Sequence, residues 1–203
     1  MLQTCKRDTL EAMNRPSYAS LTESKVPNRL LVETLSLLPE FSGKALDVGA
    51  GALSDSLFLA KAGFEVDAID PDDVSARIAA EILHPRLHFF HTRIENFEVL
   101  HNTYHIINAS RVLPFLSRDL FDTIVPRLVE GLTDDGILCA TIFGDRDGWA
   151  EKDSMTCISR SEAEALLPHI VTLREREFDG PTVSGTQKHW HVFEMIAKKP
   201  GHH

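Results

Sequence analysis

Lys44-Ala-Leu-Asp-Val-Gly-Ala-Gly-Ala-Leu53 is an apolar run that ends in a glycine-rich turn. Gly49 and Gly51 carry no side chain that would keep a ligand from the backbone. Residues 54–59 are then expected to be helical, so backbone N–H groups at the helix N-terminus should face a ligand. The segment predicts a strand, a turn and a helix, with a small-molecule site at the turn.

A second apolar run, Phe64 to Ile69, follows and ends in Asp70. An acid about 20 residues after a glycine-rich turn commonly accepts hydrogen bonds from the ribose of a nucleotide cofactor. A tight turn that binds nothing is the alternative interpretation, but the acids Asp47 and Asp70 on either side of the turn argue against it. The two segments together predict a nucleotide-type cofactor site.

The spacing of the glycines distinguishes between cofactors. A dinucleotide-binding turn has the pattern G-x-G-x-x-G, and Ser54 occupies the third glycine position of this chain. This difference disfavours NAD and NADP.

The composition is typical of a globular protein with one domain. The chain has 203 residues, of which 43% are hydrophobic and 25% are charged. Its 21 basic and 30 acidic side chains give a net charge of −9, which disfavours nucleic acid as a substrate because phosphate binding needs a basic surface. No apolar run reaches 18 residues, so we expect no membrane contact. The sequence leaves the oligomeric state open.

The three cysteines are Cys5, Cys139 and Cys157. They are widely spaced and form no C-x-x-C pair, so neither a disulfide framework nor a zinc site is indicated. We expect a reducing, cytoplasmic environment.

Strand and helix patterns alternate along the chain after the glycine-rich turn. This alternation predicts a parallel sheet with right-handed crossovers. The expected strands after Asp70 are Leu87–Phe90, Tyr104–Ala109, Gly136–Phe143, Ile170–Phe178 and His189–Ala197. Outside the turn, helices are expected at Thr4–Asn14, Asn28–Leu38, Val74–Leu83, Ser117–Leu132 and Arg160–Leu167, with a turn or short helix at Ile94–Leu100 and a loop at Asp179–Lys188. We expect one domain over residues 1–203, with a helical cap at 1–40 and an α/β core at 44–198.

Asp47, two residues before Gly49 in the string Asp-Val-Gly-Ala-Gly, resembles motif I of class I S-adenosylmethionine-dependent methyltransferases. Leu53 stands where that family often has a third glycine. The resemblance covers Pro27 to Lys198. It implies a Rossmann-like α/β fold with a seven-stranded, mostly parallel sheet, an antiparallel last strand and helices on both faces.

Three further segments, Asn108–Phe115, Phe143–Trp149 and Lys188–Phe193, resemble a bacterial subgroup related to the tellurite-resistance-type methyltransferases. The resemblance implies an enzyme that transfers a methyl group from S-adenosylmethionine to a small-molecule acceptor. One alternative is a protein that binds S-adenosylmethionine or S-adenosylhomocysteine without turnover, since Leu53 departs from the motif and no base is obvious. An NAD(P)-dependent oxidoreductase is a more distant alternative.

By position, the resemblance implies a set of residues around the cofactor. Asp47 and the turn would surround the methionine moiety, Asp70 would hold the ribose, and Ala109 to Arg111 would line the sulfonium. Pro71, Ile94 and Glu95 would lie beside the adenine. Glu95 is also typical of a helix N-terminus, and Arg111 of a solvated strand end. The full set is Asp47, Gly49, Ala50, Gly51, Asp70, Pro71, Ile94, Glu95, Ala109, Ser110 and Arg111.

The acceptor is expected where the exit of the fifth strand meets the start of an antiparallel last strand. That edge brings Arg146, Trp149, His189 and His191 together as catalytic candidates, and Trp149 beside Trp190. Either histidine could act as a general base, because histidine titrates near neutral pH. The alternatives are ordinary strand histidines and core tryptophans. A metal site is disfavoured, because its further ligands would have to come from Glu175, Glu177 or Asp179 on the neighbouring strand.

Overall fold

The structure is a computed structural model that describes residues 26–38, 42–167 and 169–201. The predicted helix at Thr4–Asn14, and with it most of the predicted cap at 1–40, lies outside the described residues. Within these ranges, no helix is both long enough and apolar enough to span a membrane.

The described strands form a single mixed sheet. The strands are β1 (Lys44–Val48), β2 (Glu65–Asp70), β3 (Leu87–His91), β4 (Tyr104–Ala109), β5 (Leu132–Gly144), β6 (Cys157–Ile158), β7 (Ile170–Pro181) and β8 (Gln187–Lys198). Their order in the sheet is β3-β2-β1-β4-β5-β8-β7, and β6 pairs with β5 outside this order. Neighbouring strands among β1 to β5 are parallel, whereas β8 is antiparallel to both β5 and β7.

The predicted fold class is therefore confirmed, with one addition. The seven strands of the main path match the expected number and the antiparallel last strand. The eighth strand, β6, has only two residues, which pair with Phe143 and Gly144 at the end of β5.

Helices pack on both faces of the sheet. They are α1 (Arg29–Leu35), α2 (Ser54–Ala62), α3 (Asp73–Glu81), α4 (Arg118–Gly131) and α5 (Arg160–Ala165), with short 3-10 turns at Ile94–Asn96 and Leu113–Phe115. The side chains of Asn28 and Asp72 cap α1 and α3, and a capping box at Ser159 begins α5. These caps explain why the helices begin within one residue of their predicted starts.

Several strand boundaries differ from the prediction. Strand β5 begins at Leu132, which already pairs with Tyr104, four residues earlier than predicted. Strand β7 continues to Pro181 and β8 begins at Gln187, so the ladder occupies both ends of the predicted loop. The segment at Ile94–Leu100, predicted as a turn or short helix, contains a 3-10 turn at Ile94–Asn96.

Two hydrophobic clusters bury the two faces of the sheet. Adjacent residues of a strand point to opposite faces, so Ile106 belongs to the cluster with α1 and α2, and Ile107 to the cluster with α4 and α5. Ile196 and Phe193 of β8 divide between the same two clusters. The sheet is thus covered on both sides, and its open edge lies where the parallel strands end.

Candidate functional site

The glycine-rich turn follows β1 with two glycines at positive φ. Gly49 has φ +70° and Gly51 has φ +52°, conformations that L-amino acids with side chains rarely adopt. The N–H groups of Gly49 and Ala50 both donate to the carbonyl of Ile69, at 2.9 and 3.0 Å. The N–H of Gly51 donates to Asp70 Oδ2 at 2.8 Å. These three N–H groups therefore tie the turn to the end of β2, and the expectation that N–H groups at the start of the following helix face a ligand stays a prediction.

Leu53, which replaces a glycine common in the resembled family, also has a left-handed conformation, with φ +59°. This conformation costs a residue with a side chain about 1–2 kcal/mol. The Leu53 side chain is completely buried, and its N–H donates to the carbonyl of Ala50 at 2.8 Å. Burial thus offsets the backbone cost, and the turn keeps its shape without the third glycine.

Polar groups from β1, α2 and β4 form a cluster beside the turn. Asn108 Nδ2 donates to Asp47 Oδ1 at 2.8 Å and to Asp55 Oδ2 at 3.2 Å. Ser56 donates to Asp47 Oδ2 at 2.5 Å. Burial, followed by the charge of Asp55, raises the pKa of Asp47 to about 7. The ionised form of Asp47 therefore has little solvent around it, and a nearby cation would stabilise that form.

This cluster forms the end of a first cavity, which we call the polar cleft. It is open to solvent and has about 540 Å³ of space that no atom fills, part of which is open solvent. Two carboxylates and one arginine are its charged lining groups in the described part of the chain. Its lining is Val26, Asp47, Gly49, Ala50, Gly51, Ala52, Ser54, Asp55, Asn108, Ser110 and Arg111.

A second cavity, the apolar cleft, adjoins the polar cleft at Gly49. It has about 500 Å³ of empty space and is lined by Val48, Gly49, Ile69, Pro71, Thr92, Arg93, Ile94, Glu95, Val112, Phe115 and Leu116. Asp70 lies at the same edge, where its carboxylate accepts from the N–H groups of Gly51 and Asp72, each at 2.8 Å. Of the residues expected around a cofactor, Asp70 and Ala109 line neither cleft, and Ala109 is fully buried in the core.

A third cavity, the aromatic cleft, shares Val26 and Arg111 with the polar cleft. Its floor is formed by side chains of β5, β7 and β8, and α1 with the residues before it forms another wall. The lining is Val26, Pro27, Asn28, Arg29, Arg111, Thr141, Phe143, Arg176, Phe178, Pro181, Trp190, Val192 and Glu194.

The two tryptophans are in contact, as the sequence predicted. The rings of Trp149 and Trp190 lie 5.7 Å apart between centroids, and both contact Phe143. Lys188 Nζ lies over all three rings, 3.7 Å from the centroid of Trp190, and forms an ion pair with buried Asp147. Burial lowers the pKa of Lys188 despite the attraction of Asp147. Trp149 thus does not line the aromatic cleft itself, but it contacts Phe143 and Trp190, which do, and the buried ammonium group of Lys188.

The histidines point to the other face of the sheet. His191 is fully buried against Phe193, whereas Trp190 and Val192 line the aromatic cleft. His191 Nδ1 accepts from the N–H of Arg146 at 3.1 Å, and Nε2 lies 2.9 Å from Glu175. Within the described residues, the side chains of Arg146, His189 and His191 line none of the three clefts.

Arg146 joins these histidines to the acids of β7. Its Nη2 lies 2.8 Å from both Glu175 and Glu177. Hydrogen bonds from Arg160 and Arg146 lower the pKa of Glu175 to about 2, and the one from Arg146 lowers the pKa of Glu177 to about 2. A hydrogen bond with Asp179 raises the pKa of His189. The ligand atoms of Glu175, Glu177 and His191 lie within 4.8 Å of one another, but the guanidinium occupies the position that a metal ion would need.

Comparison with known proteins identifies the family. Residues 31–139, more than half of the chain, match the family model described as tellurite resistance protein TehB. The chain belongs to the TehB family. No curated protein sequence matches it.

Solved structures with the same fold include a TehB protein. TehB from Haemophilus influenzae is 18% identical with a TM-score of 0.71; the alignment covers 88% of this chain and 64% of that protein, slightly less than two thirds. The 1,6-didemethyltoxoflavin-N1-methyltransferase of Burkholderia thailandensis, solved with 1,6-didemethyltoxoflavin and S-adenosylhomocysteine, is 18% identical over 88% of this chain and 80% of its own, with a TM-score of 0.66. An S-adenosylmethionine-dependent methyltransferase from Methanosarcina mazei is 17% identical over 87% and 100%, also with a TM-score of 0.66.

The resemblance to class I methyltransferases and to their tellurite-resistance-type subgroup is thus confirmed. These neighbours share the fold that the resemblance implied. At these identities the structural matches establish the fold of this TehB-family chain.

Sequence reasoning missed two polar residues of this TehB-family site. Asp55 stands in the first turn of α2, where an acid is usually explained by the helix dipole. Asn108 lies 61 residues from Asp47 and meets it only because β4 pairs with β1. Only a predicted strand order would have placed Asn108 beside Asp47.

Proposed function

We propose that this chain is an S-adenosylmethionine-dependent enzyme that methylates a small molecule in the bacterial cytoplasm. The observation that carries the proposal is the acidic end of the polar cleft, where Asp47 and Asp55 lie beside the glycine-rich turn of a class I methyltransferase fold. Free thiols at Cys139 and Cys157 agree with a reducing compartment.

The charge of the polar cleft fits this cofactor. S-adenosylmethionine carries a positive charge on its amino group and another on its sulfonium. Asp47 is buried with its pKa raised by desolvation, so a cation beside it restores a favourable ionised form. We therefore assign Asp47, Asp55 and Asn108 to the methionine end, together with the turn from Gly49 to Gly51.

We assign the nucleoside end to the apolar cleft. Pro71 and Ile94 offer apolar surface for an adenine ring, and Glu95 offers a polar group at the same cavity. The carboxylate of Asp70 accepts hydrogen bonds from two backbone N–H groups, those of Gly51 and Asp72, and keeps further lone pairs, so it remains an acceptor for ribose hydroxyls.

The same geometry disfavours a dinucleotide. A pyrophosphate needs free N–H groups at the turn, but those of Gly49, Ala50 and Gly51 already have partners. It would also meet the carboxylates of Asp47 and Asp55, whose negative charges repel it. An NAD(P)-dependent oxidoreductase therefore fits this site poorly.

When bound, the cofactor supplies a methyl group that its sulfonium has already activated. The protein then has to position the acceptor and exclude water. The aromatic cleft meets the polar cleft at Val26 and Arg111, so we place the acceptor there. We propose that Arg146, His189 and His191 stabilise the β7–β8 hairpin, and that Trp149 supports Trp190 in the wall of the cleft.

We further propose that the chain acts as one domain over residues 1–203. In this proposal the α/β core at 44–198 carries the cofactor site, and residues 1–40 cap it. Val26, Pro27 and Asn28 already line the aromatic cleft, which is the side on which such a cap would lie.

A thermal-shift panel tests the proposal. S-adenosylmethionine and S-adenosylhomocysteine should each stabilise the protein, by about 2.7 kcal/mol at one hundred times the Kd, whereas NAD and NADP should not. Formation of S-adenosylhomocysteine in the presence of acceptor mixtures separates an enzyme from a protein that only binds the cofactor. Stabilisation by NAD or NADP alone would contradict the proposal.

A further inference from the structure

The polar and aromatic clefts carry opposite charge. Asp47 and Asp55 make the polar cleft acidic, although Arg111 stands at its border. The aromatic cleft is lined by three arginines, at positions 29, 111 and 176, against the single acid Glu194. In a chain with a net charge of −9, this local excess of cations selects for an anion.

Glu194 does not cancel this excess. Its carboxylate accepts from Arg174 Nε at 3.1 Å and from Arg176 Nη1 at 3.2 Å. Arg174 also makes a bidentate ion pair with Glu33, with both distances 2.8 Å. Glu194 is thus tied into an ion-pair network at the end of the aromatic cleft. No other carboxylate and no histidine lines this cleft among the described residues.

Arg111 is the cation best placed to hold a ligand between the two clefts. It follows β4 with φ +60°, and its side chain is exposed. Among the residues that the structure describes, it forms no hydrogen bond or ion pair. Arg111 lines both cavities and has no partner among the described residues. Its planar guanidinium can therefore donate hydrogen bonds to an anionic group.

The floor of the aromatic cleft carries two nearly parallel aromatic rings. The rings of Phe178 and Trp190 stack with 6.3 Å between centroids and 16° between planes. Phe178 is 44% exposed. Arg176 lies over the Phe178 ring at 5.6 Å. Such a surface favours a planar ring that can stack, over an aliphatic chain.

From these observations, and resting on the proposed function, we propose that the acceptor is a planar aromatic anion. Its ring lies against Phe178 and Trp190, and its anionic group is held by Arg111. In the transfer, a hydroxyl oxygen or amine nitrogen of the acceptor bonds to the methyl carbon. The carbon–sulfur bond breaks with its electron pair left on sulfur, and the proton of the acceptor passes to solvent. Cations at the cleft favour the ionised acceptor, so a base from the protein is not needed.

A matched pair of probes tests the proposal: 3-hydroxy-2-naphthoate and its uncharged carboxamide. Both are planar and nearly the same shape, and they differ in one charge. Titration calorimetry on the full chain saturated with S-adenosylhomocysteine should give at least tenfold tighter binding for the naphthoate. Arg111→Gln should weaken the naphthoate about tenfold and leave the carboxamide unchanged. Phe178→Leu should weaken both probes alike, because it removes only the ring.

Arg77→Gln is the matched control, since it removes the same charge from an exposed site on α3 beside the opposite edge of the sheet. It should change neither affinity. Equal affinities for the two probes, binding of neither, or the same effect from Arg77→Gln and Arg111→Gln would each overturn the proposal. So would a loss of S-adenosylhomocysteine affinity in Arg111→Gln, since that arginine would then serve the cofactor. Failure of the wild type to bind S-adenosylhomocysteine at all would instead contradict the proposed function.

Discussion

Asn108 Nδ2 lies 2.8 Å from Asp47 Oδ1 and so joins the end of β4 to the end of β1. The same amide group donates to Asp55 at 3.2 Å, and the Asn108 oxygen accepts from Ser110 Oγ at 2.7 Å. One buried amide therefore positions both acids of the polar cleft and begins the segment that carries Arg111.

Asn108→Ala should destabilise the protein by about 1–3 kcal/mol, because buried Asp47 loses a donor that nothing replaces. Urea denaturation measures this loss. Asn96→Ala, at an exposed site, is the matched control and should stay within about 0.5 kcal/mol of the wild type. Equal stability of the two variants would show that Asn108 does not support the acids.

The raised pKa of Asp47, about 7 against an ordinary 3.8, gives a pH dependence of stability. Between about pH 4 and pH 7 the unfolded state has released the proton that the folded state retains, so stability falls as pH rises through this window. Asp47→Asn removes that contribution. Without ligand, the wild type should therefore lose stability relative to Asp47→Asn from pH 4 to pH 7, as measured by urea midpoints. A constant difference would contradict the assignment.

His191→Ala should act on stability and not on catalysis. The buried ring has partners at both nitrogens, Arg146 N and Glu175, so its removal should cost about 1–3 kcal/mol. Methyl transfer per folded molecule should be unchanged. His189→Ala, at the neighbouring exposed position on the same face, should change neither property much. Loss of transfer in folded His191→Ala would restore the catalytic role expected from the sequence.

Lys188 and Asp147 should be energetically coupled. Lys188→Met leaves the Asp147 carboxylate buried without its cation, a change that typically costs about 3–5 kcal/mol. The double variant Lys188→Met/Asp147→Asn should be less destabilised than Lys188→Met alone, because no buried charge is then unpaired. A double-mutant cycle from chemical denaturation measures the coupling. Additive losses would mean that the pair is not coupled.

Local patterns predicted the part of the site that lies within one segment of chain. Asp47, Gly49 and Gly51 belong to one strand and turn, and Asp70 ends the next strand, so spacing alone brought them together. The alternation of strands and helices predicted a parallel α/β sheet, and the resemblance supplied the seven strands and the antiparallel last strand. The sheet order confirms this fold class.

The rest depended on pairing between distant strands. Alternation along β8 predicts that His189 and His191 share a face, and they do, but it does not say which face. The register against β7 decides it, since His191 pairs with Glu177 and Trp190 with Phe178. Asn108 was missed for the same reason, because its partner Asp47 lies 61 positions away in the sequence.

Titration of S-adenosylmethionine into Asp55→Asn, with Asp73→Asn as control, tests whether the polar cleft binds the cofactor. Asp55 lines the polar cleft, whereas Asp73 is an exposed acid at the start of α3, and both variants lose one negative charge. We expect at least tenfold weaker binding in Asp55→Asn, because about 1.5–3 kcal/mol of charge-assisted interaction is lost, and unchanged binding in Asp73→Asn. Wild-type affinity in folded Asp55→Asn would contradict the assignment of the polar cleft to the cofactor.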